Sequence, residues 1–64
     1  MNVVHAIDSI SRIIKDYQIT LDSLQDVYGD SQVKQNSKLR QRVLVRKAIM
    51  DLQTVRAILR GLHE

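Results

Sequence analysis

The chain contains no cysteine, which excludes disulfides and thiolate metal sites as structural staples. Proline is absent and glycine occurs only at Gly29 and Gly61, so little interrupts helix formation. Phenylalanine and tryptophan are missing, and Tyr17 and Tyr28 are the only aromatic residues. That removes the stacking platforms of single-strand nucleic-acid binders and the aromatic anchors of membrane-surface helices. No apolar run approaches the roughly 20 residues that span a bilayer, and the first residues lack the basic region and apolar core of a secretory signal. A cytoplasmic protein without a membrane role is the expectation.

What remains is small. A chain of 64 residues makes one domain at most, and at that size only about 60% of the unfolded surface is buried on folding. Scaffolds of this size add disulfides, a metal or oligomerisation. With the first excluded and only two histidines available for the second, a second copy or another protein is the expected device.

The strongest positive signal is a 4-3-4-3 ladder of large apolar residues: Val3, Ile7, Ile10, Ile14, Tyr17, Leu21, Leu24 and Tyr28. A second ladder, Val45, Ala48, Leu52, Val55, Leu59 and Leu62, follows a short break. Seams of this period belong to helices that lie along other helices. The fold class is therefore all-α, an antiparallel two-helix hairpin resembling a coiled coil, completing a four-helix bundle as a homodimer or with a partner protein. The first helix is expected over residues 2–28 with Asn2 as its cap, and Asp8 and Arg12 form a favourable i,i+4 pair. Gly29 ends it. The connection spans residues 29–36 and the second helix residues 37–62, with Ser37 or Asn36 as cap, or Asp30 or Ser31 if it starts early.

Facing residues in an antiparallel hairpin have numbers that add to a near-constant sum. A sum of 65 or 66 pairs Val3 with Leu62, Ile7 with Leu59, Ile10 with Val55 and Ile14 with Leu52, and sets Tyr17 against the small Ala48. A sum near 59, from a tight reversal at Gly29, would set Val3 against Arg56 and Tyr17 against Arg42. Burying those cations unpaired costs several kcal/mol each, and a sum near 62, a compromise, leaves Leu62 without a partner, so the first register is favoured.

Charge is divided between the helices. Residues 1–30 carry five aspartates against Arg12 and Lys15, whereas residues 31–64 carry eight lysines and arginines against Asp51 and Glu64. The halves attract, and the second keeps surplus positive charge. The second helix also holds more apolar residues than one neighbour can use. Leu39, Val43, Met50 and Ala57 form a stripe 120–200° from the seam, with Arg42, Arg46, Gln53 and Arg60 on one border and Arg40, Lys47 and Thr54 on the other. An apolar strip rimmed by basic stems suits a docking helix. Leu39, Val43, Met50 and Ala57 are the expected anchors, with Arg42, Arg46 and Lys47 steering acidic partners. The bland reading is scattered surface residues, which are common.

Chemistry is sparse. His5, His63 and Glu64 gather at the open end of the hairpin, but terminal position and the lack of a fourth ligand argue against a metal. Asp22 and Asp26 read as a solvated stripe, and no serine has a His–Asp companion. No enzyme, cofactor or small-molecule substrate is expected. The basic run Lys38–Lys47 offers the one nucleic-acid signal, with Lys38, Arg40, Arg42, Arg46 and Lys47 as phosphate contacts. These charges spread around the helix instead of forming one stripe.

In length, topology and the basic second helix, the chain resembles Rop-type plasmid regulators, co-chaperones of type III secretion needle subunits, and a small hairpin protein of the large ribosomal subunit. No diagnostic motif accompanies the likeness, so no residue role carries over. The expected function is non-enzymatic: a small adaptor, regulator or co-chaperone that docks helices of a partner. The alternative is a dimeric RNA- or DNA-binding regulator.

Overall fold

A computed structural model describes residues 2–63, and the backbone alone of His63. Two helices pack antiparallel, α1 over Val3–Leu24 and α2 over Gln32–His63. The molecule is a rod of 48 × 15 × 14 Å. The 32 residues of α2 account for its whole length at ~1.5 Å per residue. Its radius of gyration is 15.1 Å, against about 11 Å for a compact chain of this size.

The helix starts follow local chemistry. Asn2 caps α1, its Oδ1 accepting from the Val4 N–H at 2.9 Å. Ser31 caps α2: its Oγ accepts from the Lys34 N–H at 3.3 Å, and its carbonyl from the Gln35 N–H at 2.9 Å. The start of α2 is thus five residues earlier than the 37 expected from periodicity. From Gln32 to Ser37 the only apolar residue is the exposed Val33, and good capping forms these turns without an apolar stripe.

The end of α1 also differs. It stops at Leu24 with Gln25 as cap, not at Tyr28. Asp26 breaks the helix by accepting the Tyr28 N–H on its own carboxylate at 3.2 Å. The chain then turns over Val27–Asp30, closed by the Asp30 N–H on the Val27 carbonyl at 3.1 Å. Gly29 sits at φ 80°, where a type II turn requires a positive value. The connection is therefore residues 25–31, and Tyr28, the last rung of the first ladder, stands 98% exposed beyond the helix.

The interface between the helices is thin. Ile14 and Ile49 are its only buried residues among those described, at 3% and 7% exposure. Around them Val3, Ile7, Ile10, Leu21 and Leu24 of α1 are half-buried, as are Val45, Ala48, Leu52 and Leu59 of α2. The expected phase of α2 needs correction. Val55 and Leu62, expected partners of Ile10 and Val3, are exposed. Ile49 and Arg56 take the seam instead, and upstream Gln35, Lys38 and Arg42 are half-buried in the same rows. The α2 seam is thus Gln35, Lys38, Arg42, Val45, Ile49, Leu52, Arg56 and Leu59. Arginine and lysine can occupy it because their methylene stems pack while their heads reach polar groups.

Those heads hold the register. Arg56 Nη1 donates to Ser11 Oγ at 3.3 Å, joining positions whose numbers add to 67. Lys38 Nζ donates to the Asp26 carbonyl at 2.6 Å, a pair adding to 64. The values bracket the favoured 65–66 and stand well away from 59. Lys38 also pairs with Asp30, both side chains largely covered at 29% and 17% exposure. One ammonium thereby ties the connection to α2 and sits at the negative end of α1.

Candidate functional site

The expected docking stripe is open along α2. Leu39, Val43 and Met50 are 52%, 58% and 66% exposed, and Ala57 is exposed. At its upstream end, Leu39, Arg40, Val43 and Leu44 line a shallow apolar groove on the back of the helix.

The charged border is only partly as expected. Arg46 and Lys47 are exposed beside the stripe. Lys47 pairs with Asp51 at 3.0 Å on the same helix, with both side chains in solvent. Arg42 is corrected from a steering cation to a seam residue: it is half-buried, and its Nε is buried without a hydrogen-bond partner. Of the five cations proposed for nucleic acid, Lys38 and Arg42 are turned into the hairpin and Lys47 is paired. Among the described residues, Arg40 and Arg46 remain exposed without an ion pair.

At the other end, His5 lines a second shallow groove with Ala6, Ser9 and Ile10. The side chain of His63 and all of Glu64 lie outside the described residues, so the terminal histidine cluster has no geometry to report. Among the described residues, no three histidines or carboxylates gather where a metal ion could sit, and no helix is long and apolar enough to cross a membrane.

A further set of exposed apolar residues escaped the sequence reading. Leu44, Ile58 and Leu62 are 67%, 60% and 73% exposed, with Val55 at 44%. With Ala48 and Asp51 they repeat at spacings of 4, 3, 4, 3 and 4, a second heptad ladder on α2 beside the hairpin seam. The spacing is present in the sequence, but Ala48, Val55 and Leu62 fit the hairpin ladder there equally well. Only the buried Ile49 shows which of the two interleaved ladders faces α1.

Comparison with known proteins yields no identification: no protein family, characterised protein or solved structure matches this chain.

Proposed function

We propose that this chain is a non-enzymatic protein–protein interaction module: a small adaptor, regulator or co-chaperone. Its hairpin completes a helical bundle with a second copy, and it docks helices of another protein. The observation that carries this reading is the exposure of Leu39, Val43 and Met50 in a row on a helix already packed through its other side. A helix in water needs one apolar stripe to fold against its neighbour. A further stripe with basic stems along its border has the composition of a helix-in-groove contact.

Leu39, Val43, Met50 and Ala57 are the anchors, and Arg46 and Lys47 favour an acidic rim on the partner. The experiment is affinity capture of partners from the native host by the wild-type chain and two variants. Met50→Asp, which adds a charge at a position 66% exposed, leaves the hairpin folded and loses the partner. Arg40→Gln with Arg46→Gln weakens capture modestly. If Met50→Asp retains every partner, the docking stripe is wrong. If retention instead depends on Arg40 and Arg46, falls steeply with salt and is nuclease-sensitive, the ligand is a nucleic acid.

A further inference from the structure

We infer that a second copy of this chain docks on the face bearing the Leu44 ladder. In that arrangement α2 lies antiparallel to its own symmetry mate, and the Leu39–Ala57 stripe stays free. The inference rests on the proposed self-association and adds the face and the register.

The two flanks of the hairpin are chemically different. In an antiparallel pair, the positions beside the seam meet like with like across the two helices. On one flank α1 contributes Ala6, Ile13 and Thr20, and α2 contributes Gln41, Ala48, Val55 and Leu62. None of these seven is charged. On the other flank stand Val4, Ser11 and Gln18 from α1 with Leu39, Arg46, Gln53 and Arg60 from α2. A second copy brought to that flank would set its own arginines near their counterparts. The first flank meets its copy without arginine facing arginine, and Asp51 is the one charged residue of the ladder beside it. Ile13 and Tyr17, 42% and 39% exposed, widen the apolar surface on the α1 side.

The surface area agrees with one copy. The chain exposes 5124 Å², whereas a compact monomer of 7.4 kDa exposes about 4,200 Å². The excess, about 900 Å², is close to the roughly 800 Å² that each partner contributes to a standard specific interface.

The ladder is also self-complementary. With the two-fold axis at the level of Gln53, Leu44 faces Leu62 of the second copy, the small Ala48 faces the bulky Ile58, and Asp51 faces Val55. Every residue of the ladder is used, each pair occurring twice as a two-fold contact demands. Asp51 is the one polar member, neutralised by Lys47 on its own helix. A single polar residue in a seam lowers stability while fixing register.

Sedimentation equilibrium on single variants tests the face. Val55→Glu reduces the mass to that of one chain while its helical circular dichroism is kept. Asp51→Leu tightens the dimer at least tenfold, a gain that misfolding would not produce. Met50→Glu leaves the mass unchanged. Because the chain has no cysteine, register is tested by mixing Leu44→Cys and Leu62→Cys chains under oxidation. The mixture gives the heterodisulfide and neither chain alone crosslinks. A dimer that survives Val55→Glu, or is split by Met50→Glu, keeps self-association but overturns this face. Homodisulfides at Leu44→Cys alone overturn the antiparallel register. A wild-type chain that stays monomeric overturns self-association itself.

Discussion

At the level of single residues, burial separates neighbours that look alike in sequence. Ile49 and Met50 are adjacent and both apolar, yet one is 7% exposed and the other 66%. Ile49→Ala should cost about 2–4 kcal/mol, the usual range for emptying a packed site, while Met50→Ala should stay within about 0.5 kcal/mol. Urea unfolding of the two variants measures the difference; equal costs would contradict the phase assigned to α2. Arg42 presents the reverse situation. Its Nε is buried without a partner, and an orphaned polar atom costs about 1–3 kcal/mol. Methionine keeps most of the stem and removes the orphan, so Arg42→Met should be neutral or stabilising in the same measurement. These two residues also show where sequence reading runs out. From Val43 to Met50, apolar residues occupy nearly every angle around the helix, so periodicity admits two phases. Charge does not choose between them, because an arginine stem can line a seam as well as border one.

At the level of helices, what was legible was what is local. The Asn2 cap and the Asp8–Arg12 pair, 3.0 Å apart, are as expected. The two apolar ladders correctly implied an antiparallel hairpin near the favoured register. The helix ends were less legible, because they depend on competition. Asp26 captures the Tyr28 N–H and stops α1 before its ladder runs out, while Ser31 starts α2 before its ladder begins. The two glycines should respond oppositely to alanine. Gly29 has a positive φ, so Gly29→Ala should cost about 1–2 kcal/mol despite open space around it. Gly61 lies within α2 with nothing within 4 Å of an added Cβ. Gly61→Ala should stabilise by about 0.5 kcal/mol, less than a mid-helix substitution because it falls in the last turn. Thermal unfolding of both variants checks the signs.

For the whole molecule, the shape and the core point the same way. Among the described residues two side chains are buried, each full burial gaining about 1.5–3 kcal/mol, while backbone ordering alone opposes folding by about 1–2 kcal/mol per residue. Half-buried neighbours narrow the gap without covering the Leu39–Ala57 stripe or the Leu44–Leu62 ladder. The first was visible in the sequence as apolar surplus on the second helix. The second became visible only when Ile49 and Arg56 were found to occupy the seam. The central claim is that the hairpin is an incomplete unit, finished by association. Sedimentation equilibrium of the wild-type chain, from low micromolar to millimolar concentration, tests it most directly. The predicted result is a mass of twice 7.4 kDa over the upper part of that range, with an unfolding temperature that rises with concentration. A single-chain mass throughout, with a cooperative unfolding temperature independent of concentration, would contradict it.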